Sequence, residues 1–435
     1  VADKRFILGA AAAVLLSGLV GVTAAYAQQD DEQQSLKDEP TRKTPALSQT
    51  VYQPLSKAQE CADMKDYDCA MKYLSQVREM KNKNSYETAL MWQFYAFVYF
   101  SQEKTKEAMT AYENLLQQPD LPLGLEQQTT YTLAQLYVQE EQYQKGLDML
   151  DRWFSISDKP SPGPYVLKAN IYYQMQQYKN GIEPIQTALK IADEQGTPPE
   201  EGWYQLLNVF YFELEDYSNV VKTLTYLANH WPKKDYFVQL AGVYGQQGND
   251  DYQVALYQAA NAMGWLERGG ERVTLAQMLL SADVPYKAAR ILEDGLKDGS
   301  IESTESNWRT LAQAWQLAKN DEKAIPALTR AADLSDDGEL NYRLANSYAN
   351  LAKWDDCVGA ARDALQRGGL NRPDQANLLL GNCLAEQKKY DEARNAFKAA
   401  GRDERSRKAA NQWLQYLDSE ENREAQLRRA AKRAG

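Results

Sequence analysis

The chain is poorest in histidine, with one, His230, in 435 residues. Histidine supplies most neutral-pH acid–base chemistry and many zinc ligands, so a single copy leaves little room for either. Its place just before Trp231 and Pro232 reads as a polar loop residue. Glycine (24) and proline (15) are also scarce for this length. β-branched runs are missing, which argues against a sheet-rich fold. Basic side chains are outnumbered: 49 Lys and Arg against 60 Asp and Glu give a net charge of −11. A nucleic-acid groove needs concentrated cations, so polynucleotide is excluded as the main ligand. No G-x-S-x-G, Walker loop, H-E-x-x-H or Cys-x-x-Cys occurs in the sequence. No catalytic, metal or cofactor site is therefore assigned, and the chain is read as a non-enzyme.

What is abundant is Ala, Leu, Gln, Glu, Lys and Tyr, a set that propagates helices and predicts an all-α protein too long for one core. The first residues have another character. Lys4 and Arg5 precede an apolar run from Phe6 to Val22, and Ala25-Tyr26-Ala27 supplies small residues at cleavage spacing. This is the pattern of a secretory signal, residues 1–27, cleaved after Ala27, which would shift the net charge from −11 to −12. The alternative is an uncleaved anchor, since the run is nearly long enough to span a bilayer. Residues 28–50 are polar and read as a flexible linker.

From residue 51 a frame recurs. A small residue is followed three later by a bulky one and twelve later by a second small one, as in Ala96, Tyr99, Ala108 and Ala312, Trp315, Ala324. The first-helix anchors are Ala58, Ala96, Ala134, Ala169, Asn208, Ala241, Ala276, Ala312, Ala345 and Gly381, with partners Ala70, Ala108, Gly146, Gly181, Val220, Ala255, Ala288, Ala324, Cys357 and Ala393. Two antiparallel helices approach closely only where both carry small side chains, and these positions mark the crossings. The sixth unit fits with two extra residues around Gly248 to Asp251. Prolines fall between helices, except Pro184 and Pro326, which lie inside second helices and should kink them.

The pattern Trp308, Leu311, Ala312, Trp315, Ala324, Leu328, Ala331 resembles the tetratricopeptide repeat (TPR) family, and the resemblance extends over residues 51–404. It implies a right-handed α-α superhelical solenoid of about ten helix pairs, whose first helices line a concave groove that receives peptides or partner helices. Residues 405–435 then supply a capping helix, with Ala410, Trp413, Leu414 and Leu417 on its apolar stripe, and a basic tail. That tail is either a solvated end or a contact for an acidic partner or membrane headgroups.

A residue one after an anchor is rotated about 100° toward the groove. At these places stand Gln59, Phe97, Gln135, Asn170, Val209, Gly242, Gln277, Gln313, Asn346 and Asn382, seven of them amides. Such a ladder can pair with the main chain of an extended peptide, or it can be plain solvated surface. Four after the anchors come Phe100, Val138, Tyr173 and Phe212 early, but Gln316, Ala349 and Ala385 late. The early groove is therefore expected to be the stickier. The four cysteines form two groups, Cys61 with Cys69 and Cys357 with Cys383. In an exported protein this suggests two disulfides, buried free thiols being the alternative. Signal, repeats and acidic charge together look like the periplasmic TPR proteins associated with TonB energy-transduction systems of Gram-negative bacteria. That likeness implies a periplasmic scaffold with a protein partner, the TonB complex being one candidate. A scaffold for envelope assembly or polysaccharide export is the other reading.

Overall fold

The computed structural model describes residues 46–434 apart from Lys159. The signal segment 1–27 and most of 28–50 lie outside the described residues. Within them are twenty-one α-helices and no strand. The chain divides into two compact units, Val1–Leu214 and Glu215–Gly435. The first contains α1 (Gln49–Asp63), α2 (Tyr67–Glu79), α3 (Ser85–Ser101), α4 (Thr105–Leu116), α5 (Leu123–Gln139), α6 (Tyr143–Ser155), α7 (Pro162–Gln174), α8 (Tyr178–Glu194) and α9 (Glu201–Glu213). The second contains α10 (Tyr217–His230), α11 (Lys234–Gln246), α12 (Asp250–Ala262), α13 (Gly269–Ser281), α14 (Pro285–Asp298), α15 (Glu305–Leu317), α16 (Asp321–Asp333), α17 (Glu339–Asn350), α18 (Trp354–Arg367), α19 (Pro373–Glu386), α20 (Tyr390–Ala400) and α21 (Glu404–Ala434). Within each unit helices pack in consecutive pairs, α1 on α2 through α7 on α8, and α11 on α12 through α19 on α20. α1 starts at Gln49, inside the stretch read as linker.

The anchors explain the pairing. Every first-helix anchor is buried, and so is every second-helix partner but one. The exception is Ala255, which is exposed. α11 and α12 are joined by a turn of ordinary length, and the residue twelve after Ala241 is Gln253, so the sixth repeat carries no extra residues. Gln253 occupies the crossing because Gly245, four after the anchor, has no side chain. A Cβ there would collide with the Gln253 carboxamide, 2.8 Å from its Cδ. The bulk has moved from one helix to the other.

A second regularity lies seven residues after each anchor. There the backbone turns left-handed, at Lys65, Glu103, Glu141, Gln176, Glu215, Gly248, Asp283, Lys319, Ala352 and Lys388, with φ from +54° to +71°. The next amide returns to the carbonyl three after the anchor, as in Lys104 N–H to Tyr99 O at 2.9 Å and Asn249 N–H to Tyr244 O at 2.9 Å. This closes the first helix and aims the second back along it. Only the sixth repeat uses glycine here. A Cβ in this conformation costs about 1 kcal/mol, partly offset by its restriction of the unfolded chain. Gly248→Ala is therefore expected to destabilise by roughly 0.5–1 kcal/mol, and Ala352→Gly to stabilise by a comparable amount. Thermal melts followed by circular dichroism check both; a lowered midpoint for Ala352→Gly would contradict the strain argument.

Bulky side chains fill the space around the crossings: Leu74, Leu150, Ile185, Leu292, Leu328 and Phe397 are fully buried. Prolines begin α7, α14 and α19, where a missing N–H costs nothing. Pro184 and Pro326 lie inside α8 and α16, yet both helices run unbroken through them. His230 ends α10 rather than standing in a loop, its ring stacked on Tyr226 one turn back at 3.8 Å.

α21 covers the last pair. Ala410 and Leu417 are fully buried, and Trp413 stacks on Phe397 with ring centroids 5.5 Å apart and planes nearly parallel. Asp374 at the start of α19 is bonded by Arg372 at 2.5 Å and by the Ser406 hydroxyl of α21 at 2.6 Å. Arg394 of α20 reaches Asp418 and Glu421, and Lys388 reaches Glu424. The helix continues as far as Ala434, so the tail's basic residues ride on it, with Arg428 paired to Glu424 at 3.6 Å.

Candidate partner-binding faces

With the anchors turned inward, the residue after each points out from the first helix. In the first unit Gln135 on α5 and Asn170 on α7 are exposed, while Phe97 on α3 is half-buried. In the second unit Gln277 on α13 and Gln313 on α15 are exposed, and Asn346 on α17 and Asn382 on α19 are half-buried. The amides are not chemically equivalent. Asn170 Nδ2 donates to Val166 O and Asn346 Nδ2 to Tyr342 O, both at 2.9 Å, one turn back on their own helices. Each thus spends a donor hydrogen on its own helix. The side chains of Gln135, Gln277 and Gln313 make no hydrogen bond to any described residue, so both functions remain for a ligand.

The aromatic positions are unequal too. Phe97 packs against the core of the first two helix pairs and Phe100 against the core around Leu133 and Tyr137. α3 has no exposed residue along its length, because it is apolar all round and covered on more than one side. Tyr173 is half-buried beside Tyr178 and Phe210, with ring centroids 6.3 and 6.4 Å away. Phe212 on α9 is 47% exposed, the one ring of the four with a large solvent-exposed surface. Exposed apolar side chains do not concentrate in the first unit either: Tyr252, Tyr286, Leu317 and Leu334 stand out in the second. Of these, Tyr252 and Tyr286 belong to second helices, α12 and α14.

One feature of the second unit escaped that reading. Gln316 on α15 accepts from Arg343 Nε and Nη2 of α17 at 3.1 and 2.6 Å, and its own Nε2 donates to Ser347 Oγ at 3.1 Å. A polar bridge therefore joins two successive first helices. Its members are 27 and 31 residues apart in sequence, so helical periodicity gives no hint of it.

Cys61 of α1 and Cys69 of α2 are disulfide-bonded, Cα atoms 5.7 Å apart, and Cys357 of α18 is bonded to Cys383 of α19, Cα atoms 6.3 Å apart. The first ties a helix pair internally; the second ties one pair to the next. Among the described residues no His, Cys, Asp or Glu cluster could hold a metal, and no helix is long and apolar enough to cross a membrane. The surface hollows are shallow. One of about 350 Å³ lies over Gly269, Gly270, Ser300 and Asn307, where the chain is pressed against the α13 start.

No family model matches the sequence. No curated protein matches it either. Solved structures with partial similarity include a tetratricopeptide repeat protein from Parabacteroides merdae, 14% identical with a TM-score of 0.36, covering 61% of this chain and 99% of that one. The TPR2AB domain of yeast Sti1 in complex with pHSP90 is 10% identical with a TM-score of 0.34, covering 62% and 99%. MamA from Desulfovibrio magneticus RS-1 is 18% identical with a TM-score of 0.33, covering 42% and 96%.

Proposed function

We propose that the protein is a scaffold that holds partner proteins on the faces of its first helices, in the periplasm, as an accessory component of a TonB-type uptake system. The observation that carries the binding reading is the recurrence of outward amides beside buried anchors. Gln135, Gln277 and Gln313 keep unspent donors and acceptors at equivalent places on α5, α13 and α15. Within the second unit, unspent amides on successive first helices, Gln277 and Gln313, suit an extended main chain, whose groups also repeat and also need both kinds of partner. Export rests on the sequence of residues 1–27, and the TonB assignment on overall resemblance.

Binding of the purified periplasmic domain of TonB, measured by isothermal titration, tests the assignment. Phe212→Ala is expected to weaken it by about tenfold or more, as truncated aromatic anchors do. The joint change of Gln277 and Gln313 to Ala is expected to give a smaller loss, each hydrogen bond contributing about 0.5–1.5 kcal/mol net. No heat of binding with wild type would remove TonB as partner. Capture of polysaccharide-export components from envelope extract would then favour the second scaffold reading.

A further inference from the structure

The last turns of α21 leave the stack. Along the packed line of this helix Ala410, Leu414 and Leu417 give way to Glu421 and Glu424, which bond Arg394 and Lys388. The next residue on that line is Arg428, and it has nothing to pack on: its side chain is 79% exposed, and residues 425–430 are all exposed. In the sequence no acid follows Glu424, whereas Arg428, Arg429, Lys432 and Arg433 do. Glu424 does not neutralise them. It is bonded by Lys388 at 2.7 Å and by the Tyr390 hydroxyl at 3.2 Å, and reaches Arg428 only at 3.6 Å. Arg423 is matched by Glu420 at 2.5 Å, while Arg429 has no ion pair among the described residues. The helix dipole favours cations in the last turn, where Lys432 and Arg433 stand, but Arg428 and Arg429 lie a turn earlier. The helical step of about 100° places the four positions on one arc of roughly 140°. Leu427, 59% exposed, stands on the opposite side.

We propose that this end of α21 is an electrostatic docking arm for a membrane surface, its four cations set against the phosphates of anionic phospholipid headgroups. The proposal goes beyond the scaffold reading and does not depend on what the first helices bind. Charge and spacing select the occupant. Four cations spread over a broad arc cannot converge on one carboxylate, but they match a plane of phosphates. The acidity of the remaining chain, whose net charge is −11 even with these cations counted, does not cancel the attraction. At 1.5 Å per residue the helix carries Ala434 about 15 Å beyond Glu424, farther than the Debye length of about 8 Å at physiological ionic strength. Because Leu427 lies opposite the cations, the arc brings no apolar surface with it. The helix docks by charge at headgroup level, without insertion.

The test sediments the protein purified from cells with vesicles of phosphatidylcholine alone, or of phosphatidylcholine and phosphatidylglycerol in equal parts. Binding should be stronger to the second, and that excess should vanish at about 1 M salt, where the Debye length is about 3 Å. Arg429→Gln should weaken it about fivefold, and the joint change of Arg428, Arg429, Lys432 and Arg433 to Gln should lower it to the phosphatidylcholine level. Leu427→Ala should leave it unchanged. All these residues are away from the packed core, and circular dichroism checks that each variant is folded. Hydrogen exchange separates the arm from any binding through the apolar run Phe6 to Val22: anionic vesicles should slow the amides of residues 425–434, and phosphatidylcholine vesicles should not. Unchanged exchange there with anionic vesicles overturns the proposal, whatever sediments. A loss on Leu427→Ala as large as that on Arg429→Gln overturns docking by charge alone. Retention on immobilised polyglutamate with no response to anionic vesicles overturns the lipid occupant in favour of an acidic protein.

Discussion

Asp374→Ala is expected to detach the C-terminal helix from the stack before the rest of the second unit unfolds. The Asp374 side chain is 2% exposed and is held by Arg372 at 2.5 Å and the Ser406 hydroxyl at 2.6 Å. Removing it strands a hydroxyl and a guanidinium that folding had oriented around it. Loss of one partner in a buried charged network costs about 3–5 kcal/mol; the 36% exposure of Arg372, which lets water compensate, brings the figure here to roughly 2–3 kcal/mol. Hydrogen exchange of α21 and limited proteolysis report the detachment directly. The same carboxyl predicts an acid transition. Its pKa is held well below the carboxylate range, chiefly by the Arg372 hydrogen bonds and also by Ser406. A depressed folded-state pKa stabilises above the unfolded value of about 4 and loses that stabilisation as pH falls through it toward the folded value. α21 amides should therefore lose protection on acidification below about pH 4, and Asp374→Asn should weaken that pH dependence without abolishing it, because the Lys388 hydrogen bond also lowers the pKa of Glu424 on α21. Protection of α21 unchanged by Asp374→Ala would show that the apolar stripe and the Arg394 and Lys388 ion pairs hold the helix without it.

The second large effect is expected at Phe210 in the first unit. This ring is fully buried, and it occupies the space that a side chain on Gly181 would take, with Cε2 2.6 Å from where a Cβ would stand. Phe210→Ala should destabilise by about 3–5 kcal/mol, because the cavity lies between helices that cannot collapse independently. Gly181→Ala should cost about 1–3 kcal/mol by overpacking. The two changes together should cost less than their sum, since the smaller residue makes room for the new methyl. Chemical denaturation of the four proteins in this cycle measures the coupling; strict additivity would show that the ring and the glycine do not share one space.

Helix pairing was legible in the sequence because it depends on small residues at a fixed offset, and size is visible in a one-letter code. The sixth repeat was misread for the same reason. Gln253 is not small, so the frame slipped to Ala255, although Gly248 seven after Ala241 and the compensating Gly245 both mark the true register. The left-handed turns could not be found by looking for glycine, since Lys, Glu, Gln, Asp and Ala stand there in the other repeats. On the candidate faces, rotation about the helix placed Gln135, Gln277 and Gln313 outward. It could not reveal that Asn170 and Asn346 donate to their own helices, or that Phe97 and Phe100 are claimed by neighbouring helices. Those facts depend on what packs alongside, as does the Gln316 bridge to Arg343.

The capped end of the second unit also bears on assembly. A stack of repeats has a surface at its end made to accept one more helix pair, and a second copy of the chain carries helix pairs of the same kind. Such a head-to-tail contact does not close on itself and propagates into filaments. α21 occupies the site with Trp413 against Phe397, then presents a second half from Asn422 to Arg429 that is almost wholly exposed and carries three arginines, Arg423, Arg428 and Arg429, beside one acid, Glu424. An incoming helix pair would have to strip those charges of water to dock. The cap thus sets the length of the array at this end as a stop codon sets the length of a chain: growth ends because the next layer has been made unable to add.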